Sequence, residues 1–337
     1  MGPMSLTVSV TYRCNSRCKT CNVYARQADE LSVEELSKIF KSIGQDVYWL
    51  TISGGEPFLR KDIVEICKSA YENCSPRIIN IPTNGILSKI IPGRVEEILQ
   101  ACAESEVIIN LSLDGIGKEH DEIRNVKGNF DRAMETYEGL RRLKYPNLTL
   151  GIHTVISKFN VTEIPEIYKY VVSSLKPDSF ITEIAEQRVE LDTMGADITP
   201  SFEDYSRAVD FLSERIKENK FSGISRVTQG FRLQYYELVK KILKQRRQII
   251  PCYAGFASAQ IAPDGDVWTC CVRASSMGNL REAGYDLKRV WFSRQAEVLR
   301  KGIKKGECYC PLANAAYTNM LCNFRSLLRV GLNLTRG

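Results

Sequence analysis

Histidine is almost missing from this 337-residue chain: His120 and His153 are the only two. That leaves little imidazole for a metal centre of the His-rich kind. Long apolar runs are missing too. No stretch reaches the ~20 residues needed to span a bilayer, and the opening Met1-Gly2-Pro3-Met4 lacks the apolar stretch of a signal peptide. Strong charge is also absent. The net charge of +6 is mild for this length and does not by itself argue for nucleic acid. Hydrophobic residues at 44% and charged residues at 26% fit an ordinary globular enzyme. The length suits a barrel of about 200 residues with an appendage. Cysteine, by contrast, is plentiful, with twelve residues. Without an export signal these read as reduced thiols and metal ligands in a cytoplasm, not as disulfides.

Three of them stand in one short loop, Cys14-Asn15-Ser16-Arg17-Cys18-Lys19-Thr20-Cys21. Three thiolates at this spacing can hold three irons of a 4Fe–4S cubane and leave the fourth iron open to chemistry, whereas four would close the site. Zinc also accepts Cys-x-x-Cys steps, but it wants a fourth ligand nearby, and none follows before Cys67.

The first half of the chain repeats one pattern. Apolar, β-branched segments at 6–11, 48–53, 78–82, 107–112, 148–155 and 179–184 predict buried strands. Helical stretches lie between them at 32–42, 61–71, 93–104, 130–143 and 161–173. Ser32 with Glu35 three residues later is a capping box. Strand, helix, parallel strand, repeated, predicts a curved α/β sheet with helices outside and a site at the C-terminal strand ends. The cysteine loop, Gly54-Gly55-Glu56-Pro57 and Asp114-Gly115 all fall at such ends. Alone, the glycine pair reads as a turn and Arg124 as a surface charge; their order along the strands gives them meaning.

With Thr83-Asn84-Gly85, Ser112-Leu113-Asp114-Gly115, His120-Asp121 and Arg124 added, the chain resembles the radical S-adenosylmethionine (radical SAM) superfamily over roughly residues 5–188. The resemblance implies a partial (β/α)6 TIM barrel in which Cys14, Cys18 and Cys21 hold the 4Fe–4S cluster. The open iron would be chelated by the amino and carboxylate groups of S-adenosylmethionine. Gly54, Gly55 and Glu56 would take the methionine amino group, Ser112 and Arg124 the carboxylate, and Val155 on the fifth strand the adenine, with Asp114 also among the cofactor-binding residues. Arg suits a carboxylate through its two-pronged, charge-assisted geometry. One departure is visible: the family usually has an aromatic before the third cysteine, where this chain has Thr20.

After Glu183 the alternation stops. Helices at 201–219 and 227–247 bridge residues 189–250, with Ser201 as a cap for the first. A second region, 251–337, opens at Cys252, and Pro263-Asp264-Gly265-Asp266 predicts a hairpin turn. Gly265 to Cys270, Gly278-Asn279-Leu280, a helix near 293–303 and Cys308-Tyr309-Cys310 follow. This resembles the SPASM/twitch auxiliary-cluster domain. From Cys252 onward there are six cysteines, too few for two complete sites, so the resemblance implies one auxiliary 4Fe–4S cluster. Its expected ligands are Cys252, Cys270, Cys308 and Cys310, with Cys322 or Cys271 as alternates; a structural zinc is the competing reading. Cys67, Cys74 and Cys102 read as apolar fillers.

The implied reaction is reductive cleavage of S-adenosylmethionine to a 5′-deoxyadenosyl radical, which takes hydrogen from an unactivated carbon. An electron donor such as ferredoxin or flavodoxin is implied, and the auxiliary cluster would take up an electron or bind substrate. Glu183, Glu186 and Gln187, near the sixth strand's end, are candidates for substrate ligands or a base, with salt-bridged rim charges as the plainer reading; of these Glu183 is the catalytic candidate. The first strand begins near Leu6, which leaves no room before the barrel for a peptide-leader domain. A small-molecule, sugar or lipid-linked substrate is therefore expected ahead of a peptide. The tail, 311–337, has no acidic residue, carries Arg325, Arg329 and Arg336, and sets Met320, Leu321, Phe324, Leu327, Leu328 and Leu332 near helical spacing. It reads either as a stripe packed on the barrel or as a peripheral membrane contact. The basic run Lys240-Lys241, Lys244, Arg246-Arg247 reads as a solvated helix face, with no nucleic-acid partner. A non-catalytic electron carrier and a zinc-stabilised binding module are the readings from other classes.

Overall fold

The computed structural model describes residues 2–218 and 223–335. Asn219, the expected end of the first bridging helix, and Arg336 of the basic tail lie outside the described residues.

Six parallel strands alternate with helices. They are β1 (Ser5–Ser9), β2 (Trp49–Ser53), β3 (Ile78–Thr83), β4 (Glu106–Ser112), β5 (Leu148–Ile156) and β6 (Ser179–Ile184). Between them run α1 (Val33–Ile43), α2 (Ile63–Cys74), α3 (Ile91–Ala101), α4 (Lys118–Arg124), α5 (Asn129–Arg141) and α6 (Ile164–Tyr170). The expected capping box starts α1: Glu35 N–H donates to Ser32 Oγ at 3.2 Å, and Ser32 N–H donates to a Glu35 carboxylate oxygen at 2.8 Å.

Two local features differ from expectation. The short α4 was not anticipated, because Lys118–Arg124 shows no apolar stripe. The helix expected over 161–173 is split into a 3-10 turn, α6 and a wider π turn at Val171–Leu175.

After the bridging helices α7 (Phe202–Glu218) and α8 (Gly223–Gln245) come β7 (Ser258–Ile261), β8 (Asp266–Trp268) and β9 (Ser276–Asn279). Then follow α9 (Leu287–Trp291), α10 (Arg294–Lys304), α11 (Ala313–Leu321) and α12 (Phe324–Thr335). The second region is joined to the barrel through the sheet itself. Strand β7 pairs in parallel with β1, placing Val8 between Ile52 and Ile261. The β7–β8 hairpin then extends one sheet of order β6-β5-β4-β3-β2-β1-β7-β8-β9. Arg281 adds a clamp, with its Nε 2.8 Å from Glu35 Oε1 on α1.

Strand alternation sorts the two faces. In β3 and β4, Ile79, Ile81, Val107, Ile109 and Leu111 are buried in the core, which also takes up the helix residues Ile66, Ile98 and Leu140. The alternate positions carry polar groups. Asn110 Nδ2 donates to Asn80 Oδ1 at 2.7 Å, and Asn80 Nδ2 donates to Thr51 Oγ1 at 3.3 Å. Cys67, Cys74 and Cys102 are buried in the same core, as fillers.

Candidate active site

The cysteine loop follows β1 and is held by backbone bonds from elements far away in sequence. Arg17 N–H donates to Arg124 O (3.1 Å), Lys19 N–H to Ile123 O (2.9 Å) and Asn22 N–H to Leu191 O (2.8 Å). The unexpected α4 is thus the platform on which the loop rests. Cys14 and Cys21 pack against Tyr12, Val23, Ala262 and Trp268, an apolar wall contributed partly by the second region. Burial pushes the Cys14 thiol up to about 11 and the Cys21 thiol up to about 12. Dry thiols of this kind become thiolates when a cation is bound beside them. Two donors face the sulfurs: Asn84 Nδ2 lies 3.8 Å from Cys14 Sγ, and Arg124 Nη1 lies 3.7 Å from Cys18 Sγ.

The turn after β2 locks onto this loop. Gly55 N–H donates to Thr11 O at 2.7 Å and Glu56 N–H to Arg13 O at 2.9 Å. A Cβ on Gly54 would sit 2.2 Å from Thr11 O, and one on Gly55 would sit 2.2 Å from Arg13 O; Gly54 also has φ +132°. Only glycine allows this approach. The Glu56 side chain is buried. Its carboxylate accepts from Phe58 N (3.2 Å), Thr83 Oγ1 (2.9 Å) and Asn84 N (2.8 Å), while complete burial raises its pKa to about 7. Glu56 therefore ties together the turns after β2 and β3.

Arg124 is buried, with Nη2 2.7 Å from Asp114 Oδ2, and Asp114 Oδ1 accepts from Val155 N–H at 2.9 Å. These three expected site residues form one chain of contacts across β4, α4 and β5. Arg124 Nε and Ser16 Oγ are buried without a partner. Three thiols, a cationic fork with one unused donor and glycine-tight backbone are what a cluster and an amino-acid-bearing ligand require, so the residues fit the group. Ser112 stands opposite His153 in the β4–β5 pairing and has only partial burial.

Past the end of β6, Arg188 bridges two acids. Its Nη2 is 3.5 Å from Glu183 Oε1 and its Nε 3.1 Å from Glu186 Oε1; His153 Nε2 lies 3.5 Å from the same Glu183 oxygen. Glu183 is thus ion-paired. Gln187 spends both ends of its amide on Ala196 O and Gly195 N–H, which holds its own loop. Glu186 is different: burial lifts its pKa to about 7, and its Oε2 is buried with no partner.

The second group of thiols gathers beside this cluster. Cys252, Cys270, Cys308 and Cys310 line one cavity of about 200 Å³ between β8 and α10. Of the two alternates, Cys271 is buried with Leu312 and Ala315 in an apolar group, and Cys322 ends α11 outside the cavity. Asn319 Oδ1 accepts from Tyr253 N–H at 2.7 Å and steadies the Cys252 segment. Asn319, Arg188 and the α4 platform were not singled out from the sequence. No local pattern marks them, since each acts on a partner distant along the chain.

Residues 8–171 match the profile of the radical SAM superfamily, and residues 252–311 match the iron–sulfur cluster-binding domain named SPASM. The chain carries a radical SAM domain followed by a SPASM domain. The first implies a 4Fe–4S cluster and S-adenosylmethionine, and the second implies auxiliary iron–sulfur clusters. Among curated relatives, the chain is 31% identical to the Fe-coproporphyrin III synthase of Methanosarcina barkeri over 62% of this chain and 51% of that one. It is 26% identical to the AdoMet-dependent heme synthase of the same organism, over 89% and 84%. The mycofactocin maturase MftC of Mycolicibacterium smegmatis is 29% identical over 49% and 40%. The chain thus spans about half the length of the first of these. In fold it is similar to Streptococcus suis SuiB (TM-score 0.63, 18% identity, 89% of this chain and 68% of that one). It is likewise similar to native anSMEcpe with bound AdoMet (TM-score 0.63, 15% identity, 99% and 97%).

Proposed function

We propose that this chain is an enzyme that removes hydrogen from an unactivated carbon of a small-molecule, sugar or lipid-linked substrate. When bound, the cluster and S-adenosylmethionine together supply the one-electron chemistry that breaks such a bond. The observation that carries this reading is the convergence of the cysteine loop, the Gly54-Gly55-Glu56 turn and Arg124 at the C-terminal ends of β1, β2 and β4. Cys14, Cys18 and Cys21 hold three irons. Gly54 and Gly55 offer backbone to the ligand's amino group, and Glu56 acts behind them by fixing the turn. Ser112 and Arg124 hold the ligand's carboxylate, with Asp114 orienting the guanidinium, and Val155 flanks the adenine. Cys252, Cys270, Cys308 and Cys310 hold one auxiliary 4Fe–4S cluster.

The strand face that carries Asn80 and Asn110, with His153, Glu183, Arg188 and the unpartnered Glu186 oxygen past the ends of β5 and β6, offers polar groups to a substrate. Such a surface suits a substrate with several hydrogen-bonding groups. The heme synthase relative aligned over most of its length supports a tetrapyrrole as one such small molecule; the maturase relatives support the alternative, a peptide. An electron donor such as ferredoxin or flavodoxin works with the enzyme in the cytoplasm. The tail supports a peripheral lipid contact: α12 packs on α8, yet Leu321, Phe324, Leu327 and Leu328 stay exposed beside Arg325 and Arg329.

The test is anaerobic incubation of reconstituted protein with S-adenosylmethionine and dithionite. The expected product is 5′-deoxyadenosine, lost in Cys14→Ala, Cys18→Ala and Cys21→Ala; no product from the intact protein overturns the reading. Adding coproporphyrin III or a candidate peptide and measuring mass loss then separates the substrate classes.

A further inference from the structure

Two basic segments far apart in sequence meet at one place. The run Lys240-Lys241, Lys244, Arg246-Arg247 ends α8, and Arg300-Lys301, Lys304-Lys305 ends α10. Between them opens a cleft of about 710 Å³ lined by Arg247, Lys304, Lys305, Tyr253 and Phe256, with no acidic side chain in its wall. Cations near helix C-termini offset the macrodipole. Here, however, two such ends face the same space, and Arg247, Lys304 and Lys305 make no ion pair among the described residues. Arg300 braces the floor, its guanidinium 4.5 Å from the Trp291 ring centroid and 5.8 Å from that of Phe256, and its Nη2 is buried without a partner.

The wall of this cleft also includes Cys252, which lines the four-thiol cavity on its other side. The cleft is therefore the outer face of the auxiliary site. We propose that it docks an acidic one-electron carrier protein of the ferredoxin or flavodoxin kind. The inference rests on the reading of Cys252 as a ligand of the auxiliary cluster. Charge complementarity selects an acidic surface, and the unpaired lysines and arginine set orientation and capture rate. The shared Cys252 wall favours a redox protein over a nucleic acid, which has no reason to sit against a thiol cavity. Tyr253 and Phe256 in the wall of the cleft supply apolar contact.

The test measures binding of the anaerobically reconstituted full-length chain to purified ferredoxin and flavodoxin at low and high salt. Arg247→Glu/Lys304→Glu/Lys305→Glu is expected to weaken binding at least about tenfold at low salt and to flatten its salt dependence. Dithionite-driven cleavage of S-adenosylmethionine should be unchanged. The triple glutamine variant serves if the glutamate one loses its fold, and reversal of the remote Lys89, Lys118 and Lys144 should leave binding intact. Wild-type affinity in the triple variant overturns the proposal. So does tighter, equally charge-sensitive binding of an RNA oligomer or an anionic vesicle. Iron content of Cys252→Ala is read separately: undiminished iron sinks the cluster assignment itself, whatever the binding result.

Discussion

The Arg124–Asp114 pair offers the sharpest check, because stability and ligand binding make different demands on it. Both side chains are nearly dry, at 11% and 2% exposure, and Nη2 lies 2.7 Å from Oδ2. Arg124→Ala leaves the Asp114 carboxylate buried, with Val155 N–H still donating to it. Stranding one charge of a buried pair costs about 3–5 kcal/mol. Asp114→Asn strands the guanidinium instead, close to Cys18 Sγ. The double variant buries neither charge, so it should fall short of the sum of the singles by about 2 kcal/mol. Urea unfolding of the three variants under anaerobic conditions measures this coupling. A second readout separates structure from binding. Arg124→Lys keeps the charge but loses the fork and the unpartnered Nε, so KM for S-adenosylmethionine should rise by more than kcat falls. Arg124→Ala costing under about 1 kcal/mol, or singles that simply add, would refute the buried-pair argument.

Other outcomes follow from the same geometry. Gly55→Ala places a methyl group 2.2 Å from Arg13 O, so the cysteine loop must shift; about half of the protein's iron should be lost, and full iron retention would count against the interlock. Cys270→Ala should likewise remove about half the iron while Cys322→Ala removes none, because Cys270 lines the cavity and Cys322 does not; elemental analysis decides. Burial lowers the His120 pKa to about 4, so the folded state binds fewer protons than the unfolded one between that value and about 6.5. Stability contributed there is complete above pH 6.5 and is lost as pH falls. Wild type should lose about 2 kcal/mol relative to His120→Asn between pH 7 and 5, and parallel pH profiles would contradict this. Phe324→Glu/Leu328→Glu should abolish sedimentation with anionic vesicles, and equal sedimentation of variant and wild type would end the lipid reading.

Local patterns carried far because the chemistry of this chain is written at strand ends. The β-branched runs, the glycine pair after β2 and the Ser32–Glu35 box each act within a few residues of themselves, and all appear where their spacing predicts. The three cysteines of the loop and those from Cys252 onward stood out as two groups because thiols are recognisable by residue type, but which of the later six share one cavity did not. The plain ion-paired reading of Glu183 also holds, through Arg188, but no short-range signal pointed to Arg188. Nor did any pattern separate Glu56 as a brace for two turns from Glu56 as a ligand contact. Its partners Thr83 and Asn84 come from another strand end.

The sequence by itself determined the alternation of strands and helices, the open three-cysteine loop and the presence of a second thiol region. Periodicity and residue chemistry are short-range properties that survive without the fold. Only the tertiary structure decided that β7 extends the barrel sheet from β1, that α4 carries the cysteine loop, and that Cys252, Cys270, Cys308 and Cys310 line one cavity. Each of these is a contact between segments tens to hundreds of residues apart. Burial, sheet register and close backbone approach choose such partners, and those forces come into being only once the chain has closed on itself.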